Sequence, residues 1–169
     1  MTDLSRTDDL FFDRTGLDRV RIERMVSDSL DGADDGELFL EYRQSEGLAF
    51  DDGRLKSASF DTTQGFGLRG VSGESTGYAH ASVLSEDAIA RACETVRAVR
   101  SGRGGKAALG PQATNRALYG DENPLGEFDF AAKVKLLEEM NAYARALDPR
   151  VVQFSASISG EWQAVQIIR

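Results

Sequence analysis

The spacing of apolar residues predicts three helices in this chain. In Leu17–Leu30, apolar residues recur at intervals of three and four, which is the period of a helix that buries one face. Ser85 is a typical N-cap residue, and the same period after it predicts a second helix that ends near Gly102. A third helix is predicted over Asp129–Leu147, with an apolar face broad enough to lie flat on a sheet.

The apolar period changes to two in the segment Glu37–Ser82, which predicts extended strands. The Asp-Gly pair in "AFDDGRL" is typical of a tight turn between two strands. We therefore expect a meander of about four strands in this segment.

The C-terminal region has the clearest strand pattern, because apolar and polar residues alternate strictly over Val152–Ser159. If Gly160 and Glu161 form a two-residue turn, the flanking runs pair as a hairpin that places Ala156 opposite Val165. In that register the chain stops inside a strand, which favours a natural protein that continues beyond the last residue.

These patterns together predict an α+β fold, with a mostly antiparallel sheet and two to three helices packed on one face. The segment Gly102–Glu127 is rich in glycine and lacks periodicity, so we expect a long and mobile surface connection there. Residues 1–14 are predicted to be disordered or poorly ordered, and residues 15–169 to form one domain.

Composition excludes several classes of function. The formal net charge is −8, and a protein that binds the phosphate backbone of nucleic acid needs an excess of Lys and Arg. The single cysteine cannot form an internal disulfide, which fits a reducing compartment. There is no signal peptide and no apolar run of the roughly 20 residues needed to span a bilayer, so the sequence predicts a cytoplasmic protein without membrane contact.

The string G-x-G-x-x-G, formed by Gly65, Gly67 and Gly70, raises the hypothesis of nucleotide binding. A dinucleotide-binding loop must open a helix, whose N-terminus holds the pyrophosphate. Turn residues and a strand pattern follow Gly70 instead, so we favour a β-hairpin whose turn lies at Ser72–Ser75.

His80 and Cys93 are the only histidine and the only cysteine. A zinc site takes several such ligands, so a structural histidine and a buried thiol are the favoured interpretations. Serine catalysis has no support from a G-x-S-x-G elbow, which this sequence lacks.

Charged residues also form small groups with two possible roles. Acid pairs fall at predicted turns, where turn formation is favoured over acid-base chemistry: Asp34 with Asp35, and Asp51 with Asp52. Four basic residues lie close together in the sequence at a predicted helix end: Arg97, Arg100, Arg103 and Lys106. We favour a structural role for these side chains in contact with solvent, and contact with a phosphate or an acidic partner is the alternative. No catalytic, cofactor-binding or metal-binding residue is predicted.

Three stretches resemble the N-terminal part of the TldD/PmbA family, and its TldD branch in particular. They are "LFLEYRQSEGLAFDDGRLKSASFDTTQGFGLRGVSGESTGYAHAS" (Leu38–Ser82), "NPLGEFDFAAKVKLLEEMNAYARALDPRV" (Asn123–Val151) and the final "VQIIR". The resemblance runs in order from about Asp9 to Arg169. It rests on this collinear pattern, since no single motif in it is as diagnostic as a metal signature.

The resemblance implies a zinc metalloprotease whose H-E-x-x-x-H motif lies in a C-terminal half that this chain does not contain. It also implies a PmbA-like (TldE) partner subunit, unfolded or flexible peptides as substrates, and an older label as a modulator of DNA gyrase. On this interpretation the chain is truncated before the metalloprotease domain, holds no cofactor and is inactive alone.

An alternative hypothesis is a stand-alone interaction module without enzymatic activity. In that case the open strand after Trp162 pairs with another chain.

Overall fold

A computed structural model describes residues 7–100 and 122–169, except for the side chains of residues 99 and 100. Its elements in chain order are a π-helical turn (Asp9–Asp13), α1 (Arg19–Leu30), β1 (Asp35–Asp51), β2 (Arg54–Ser72), β3 (Ser75–Ala81), α2 (Glu86–Arg100), a 3-10 turn (Pro124–Gly126), α3 (Phe130–Leu147) and β4 (Ser155–Ile168). The strands form an antiparallel sheet in the order β3-β2-β1-β4, which confirms the predicted α+β class.

The described residues fall into two compact units. The first unit contains residues 7–42, 63–100 and 164–169, and the second contains residues 43–62 and 122–163. Strands β1, β2 and β4 have residues in both units. Each unit is described separately below.

In the first unit, both helices begin at side-chain caps. The Asp18 carboxylate accepts a hydrogen bond from the Arg21 amide at 3.1 Å, and the Ser85 hydroxyl accepts one from the Ala88 amide at 3.3 Å. These caps satisfy amide groups that have no partner inside a first helical turn. The Ser85 cap was predicted from the sequence and is confirmed.

The core of the first unit is large and apolar. Ile22 and Val26 of α1 and Ile89 and Val96 of α2 are fully buried, as their helical spacing predicts. Further buried apolar residues come from the N-terminal turn, β1, β2, α2 with the loop before it, and the end of β4: Leu10, Phe11, Phe12, Leu38, Leu40, Phe66, Leu68, Leu84, Ala88, Ala92, Cys93, Ala164 and Ile168.

Two tight turns divide Glu37–Ser82 into long strands. The Asp-Gly turn is confirmed, since Asp52 and Gly53 have φ angles of 51° and 78°. The turn at Ser72–Ser75 is confirmed by the pairing of those two residues and by a φ of 59° at Gly73. The structure therefore has three strands here and not about four, because β1 and β2 each continue without interruption for 17 and 19 residues.

The second unit has a small core. Leu48 and Phe50 of β1 pack with Leu137 of α3, and partly buried residues surround them: Leu55, Val134, Phe154, Ala156 and Ile158. Helix α3 begins after Asp129, whose carboxylate accepts a hydrogen bond from the Ala132 amide at 2.7 Å. The predicted bounds of this helix are thus confirmed.

The predicted broad contact of α3 with the sheet is wrong. Only the row that includes Val134 and Leu137 packs, whereas the neighbouring row is exposed to solvent. We name this exposed row the α3 stripe: Leu136 at 50%, Met140 at 44%, Tyr143 at 67% and Leu147 at 66% exposure. Its members lie about a quarter turn away from the buried row, so a flat sheet contacts one row and not both.

The predicted C-terminal hairpin is also wrong, because β4 continues through Gly160 as a single strand. Gly160 is required for close packing and not for a turn. A Cβ atom at this position would lie 2.6 Å from the Leu125 side chain and 3.6 Å from a carboxylate oxygen of Glu46. Since the strand does not reverse, Val165 is 38% exposed and does not face Ala156.

Part of the segment 1–14, which the sequence predicts to be poorly ordered, lies within the described residues. Residues 1–6 lie outside the described residues, but Asp9–Asp13 form a π-helical turn that buries Phe11 and Phe12. These rings remove enough apolar surface from water to offset the entropy of ordering the turn. The predicted mobile connection Gly102–Glu127 lies mostly outside the described residues, and its last part forms the turn Pro124–Gly126.

Candidate functional site

The glycine motif lies inside the sheet. In the β2–β3 ladder Gly67 pairs with His80, and Gly70 pairs with Gly77. This confirms the interpretation of the string as part of a hairpin, since neither glycine is followed by a helix N-terminus.

Gly65 and Gly67 belong to the lining of a pocket on the sheet. A Cβ atom at Gly67 would lie 2.9 Å from the Tyr78 hydroxyl, which shows that the Tyr78 ring lies across this glycine. The pocket has a volume of about 330 Å³. We name it the Glu41 pocket, and its lining comes from β1, β2, β3 and the residue after β3: Phe39, Glu41, Thr63, Gln64, Gly65, Phe66, Gly67, Tyr78, His80, Ala81 and Ser82.

Aromatic rings and one carboxylate give this pocket its chemistry. The rings of Tyr78 and His80 stack with centroids 5.6 Å apart at an interplanar angle of 29°. Phe39 and Glu41 are both half-buried on β1. Within residues 7–100 and 122–169, the Glu41 carboxylate has no hydrogen bond and no ion pair.

Cys93 is buried within α2, as predicted. Its thiol donates a weak hydrogen bond to the Met25 carbonyl at 3.7 Å. Burial raises the pKa of the Cys93 thiol, and a hydrogen bond with Ser29 only partly opposes this effect. The raised pKa disfavours the thiolate, so Cys93 is suited to packing and not to nucleophilic chemistry.

The acid pairs have structural partners. Asp34 accepts a hydrogen bond from the Gly73 amide at 2.6 Å, and Asp35 pairs with Arg69 at 2.5 Å. Asp51 accepts hydrogen bonds from Ser155 and Gln153, which lower the pKa of its carboxyl. Asp52 pairs with Arg145. These contacts support the predicted structural role of both pairs.

Only part of the basic stretch can be placed. Arg97 lies on α2 and lines an open cavity of about 700 Å³ together with Asp28, Asp31 and Arg169. Arg103, Lys106 and the side chain of Arg100 lie outside the described residues. Because acids line this cavity beside Arg97, its charge does not favour a phosphate.

A buried ion pair in the second unit was not predicted. Lys133 is 8% exposed, and its ammonium donates to both carboxylate oxygens of Glu46 at 2.6 and 2.8 Å and to the Leu125 carbonyl at 2.8 Å. These bonds use all three donors of the ammonium group. The ion pair therefore fastens α3 and the Pro124–Gly126 turn to β1.

The sequence contains weak signals for the residues that were missed. Lys133 falls at helical spacing from Leu137 on the packed side of α3, which marks a lysine that points inward. Glu41 alternates with the core residues of β1, but its place beside Gly65 and Tyr78 depends on strand pairing. Pairing partners are not encoded locally, so this pocket has no motif in the sequence.

No metal site or membrane span is found in the part of the chain that the structure describes. There, no group of three or more His, Cys, Asp or Glu side chains is placed to hold a metal ion. The same residues include no helix long and apolar enough to cross a bilayer.

Comparison with family models gives two matches in chain order. Residues 36–100 match the model described as PmbA/TldA metallopeptidase domain 1. Residues 123–169 match the model described as the PmbA/TldA metallopeptidase central domain. These models divide residues that the sequence alone predicts as a single domain.

Curated relatives support the same match. The chain is 33% identical over 139 residues to a metalloprotease TldD homolog from Haemophilus influenzae, covering 80% of this chain and 29% of that protein. A metalloprotease TldD homolog from Buchnera aphidicola (subsp. Acyrthosiphon pisum) is 29% identical over 149 residues, with 88% and 30% covered. The chain thus spans about 30% of the length of these relatives.

A solved structure shows the same fold at low sequence identity. TldE from Thermococcus kodakarensis matches with a TM-score of 0.60 and 15% identity, covering 86% of this chain and 34% of that one. At this identity the match supports the fold and nothing further.

Proposed function

Because this chain belongs to the PmbA/TldD metallopeptidase family, we propose that it is the non-catalytic N-terminal part of a TldD-like metallopeptidase subunit. We infer that the subunit acts in proteolysis of unfolded or flexible peptides together with a PmbA-like partner. The observation that carries this proposal is the coverage: the chain matches domain 1 and the central domain, yet spans 29% of the Haemophilus influenzae relative.

The residues of this chain do not fit a catalytic zinc ion. An H-E-x-x-x-H motif needs two histidines, and His80 is the only one in the sequence. His80 lies in β3 and stacks on Tyr78, whereas the single thiol, Cys93, is buried in α2. We therefore place the zinc of the proposed parent enzyme outside this chain and derive no catalytic step from the residues present.

The α3 stripe supports a role in protein association. Its four large side chains are aligned at spacings of four, three and four residues, as in helices that pack against another helix. Monomers rarely expose a continuous apolar surface of this kind without a partner. We propose that a PmbA-like subunit covers this stripe.

Localisation in the cytoplasm is part of the same proposal. The chain has one cysteine, which is a free thiol in the structure. A free buried thiol is stable in a reducing compartment.

A peptidase and zinc assay tests the non-catalytic assignment. We expect the purified 169-residue chain to bind no stoichiometric zinc by elemental analysis and to leave unfolded casein intact. A full-length TldD-like relative mixed with a PmbA-like subunit serves as the active control. Cleavage of casein by the chain alone, abolished by a chelator, would show that our placement of the site is wrong.

Association is tested by replacing the centre of the α3 stripe. We expect Leu136→Gln with Tyr143→Gln to lower the affinity for a PmbA-like subunit by about tenfold or more, because apolar anchors dominate such contacts. Both side chains are at least half exposed, so the free energy of unfolding should change by about 0.5 kcal/mol or less. Isothermal titration calorimetry and urea unfolding measure the two quantities.

Val20→Gln is the matched control, since Val20 is an apolar side chain of α1 with 73% exposure. It should leave the affinity unchanged. Equal affinity of the stripe variant and the wild type would overturn the assignment of this surface.

A further inference from the structure

We propose that the Glu41 pocket binds the side chain of an arginine presented by a peptide. This inference goes beyond the proposed function, because it concerns binding by this chain alone. It holds whether or not another segment or subunit supplies the catalytic site.

The charge of the pocket favours a cation. Glu41 is half-buried, and no described residue offers its carboxylate a hydrogen bond or an ion pair. A cationic ligand that donates hydrogen bonds to this carboxylate forms a charge-assisted pair with it. Other acids in the same unit already have such partners, as Asp35 and Glu37 have in Arg69.

The aromatic lining favours a guanidinium group over other cations. Phe39 and the stacked pair of Tyr78 and His80 contribute rings from the two strands that flank β2. A guanidinium is planar, stacks on aromatic faces and can donate two parallel hydrogen bonds to one carboxylate. Rings and a carboxylate in one pocket are therefore complementary to arginine.

The size of the pocket fits a single side chain. The pocket has a volume of about 330 Å³, with Gly65 and Gly67 in its lining. This volume is at the lower end of the range for sites that hold whole small molecules. Glu41 is the only carboxylate among the lining residues, so the pocket accommodates one positive charge and not the two or more of a polyamine.

Binding is tested with two capped, fluorescein-labelled pentapeptides that carry either arginine or citrulline at the central position. Citrulline has almost the same shape as arginine but no charge. We expect the arginine peptide to bind the 169-residue chain about tenfold more tightly in a fluorescence anisotropy titration, because it forms a charge-assisted pair with Glu41. Equal affinities for the two peptides would overturn the proposal.

The variant Glu41→Gln assigns the effect to the pocket. It should reduce the affinity for the arginine peptide by about tenfold and leave the citrulline peptide unaffected. The control Glu94→Gln removes the same charge from an exposed position on α2 and should change neither affinity by more than about twofold. Unchanged arginine binding in Glu41→Gln, or equal losses in the two variants, would refute the assignment.

Two further measurements do not depend on the folding of that variant. Amide chemical shifts of Gly65 and Gly67 in the wild-type chain should move with saturation by the arginine peptide and not by the citrulline peptide. Putrescine should displace the arginine peptide only at about tenfold higher concentration, because it lacks a planar group to stack on the rings. Absence of the shift changes, or displacement by putrescine at equal concentration, would contradict the proposal.

Discussion

The two compact units of this chain bury their apolar residues to different extents. In the first unit, α2 packs against β3 and α1 packs against α2, and the buried set includes Phe11, Ile22, Leu68 and Ile89. In the second unit the buried apolar side chains are few: Leu48, Phe50, Leu125 and Leu137. The second unit instead exposes many large apolar side chains: Phe60, Phe128, Phe130, Leu136, Met140, Tyr143, Leu147 and Val152.

This difference separates residues that stabilise the chain from residues that are available to a partner. Burial of apolar surface is the main favourable term in folding, and the first unit obtains it from its own residues. The second unit leaves much of its apolar surface exposed to water. Another protein surface can bury these side chains on association. We therefore expect folding to depend more on the first unit and association more on the second.

The most enclosed ion pair among the described residues lies in the second unit, although other pairs of that unit are exposed. In the first unit Arg69 contacts Asp35 and Glu37 at the surface, where its side chain is 36% exposed. In the second unit the Lys133–Glu46 pair is nearly enclosed, with side-chain exposures of 10% and 13%. A buried charge that loses its partner is far more costly than an exposed one.

The largest effect is expected from Lys133→Met. The variant leaves the Glu46 carboxylate enclosed without its cation, so the free energy of unfolding should fall by about 3–5 kcal/mol. Urea unfolding followed by circular dichroism measures this change. The double variant Lys133→Met with Glu46→Leu should recover most of the loss, because two apolar side chains replace the pair without a buried charge. A single variant as stable as the wild type would show that water solvates Glu46.

A cavity in the first unit tests the importance of its core. Ile89 has no exposed surface, so Ile89→Ala should lower the free energy of unfolding by about 2–5 kcal/mol in a urea titration. The matched control is Leu136→Ala on the α3 stripe, which is 50% exposed and should change stability by about 0.5 kcal/mol or less. If the exposed leucine proved as costly as the buried isoleucine, the contrast between the units would fail.

Local patterns in the sequence were sufficient to predict the helices and two turns. The Ser85 cap and the Asp52–Gly53 turn depend on neighbours a few residues away, and both predictions are confirmed. The prediction of a hairpin at Gly160 was wrong for a physical reason. A glycine that permits a turn and a glycine that permits close packing look alike in sequence, and Leu125 lies 35 positions earlier.

The candidate site was predictable only in part. The strand context of Gly65–Gly70 excluded a phosphate loop, which the β2–β3 register confirms. The pocket itself combines Glu41 of β1 with Tyr78 of β3, and this proximity arises from strand order. In the same way, the sequence shows the apolar residues of α3, but only packing decides which of its two rows is buried.

The smallest expected effect concerns the exposed ion pairs of the first unit. The hydrogen bond from Arg69 lowers the pKa of the Asp35 carboxyl below its ordinary value near 4. A carboxyl whose pKa is lower in the folded state stabilises the fold above its unfolded pKa, and this contribution is lost as the pH falls through the folded pKa. Stability should therefore decrease below about pH 4 as Asp35 is protonated.

Arg69→Gln removes this contribution together with the Arg69–Glu37 pair, whereas the lowered pKa values of Asp51 and Asp148 have other causes and should not change. Since Asp35 is 43% exposed, we expect the variant to lose about 0.5 kcal/mol or less at pH 6 and to approach the wild type as the pH falls through the folded pKa of Asp35. Urea unfolding across this pH range measures the difference, which 0.5 M salt should largely remove because exposed charges are screened. The cost of Lys133→Met should persist in the same salt, since Glu46 is enclosed. A salt-resistant difference for Arg69→Gln would mean that the Arg69 ion pairs are no more exposed to solvent than the Lys133–Glu46 pair.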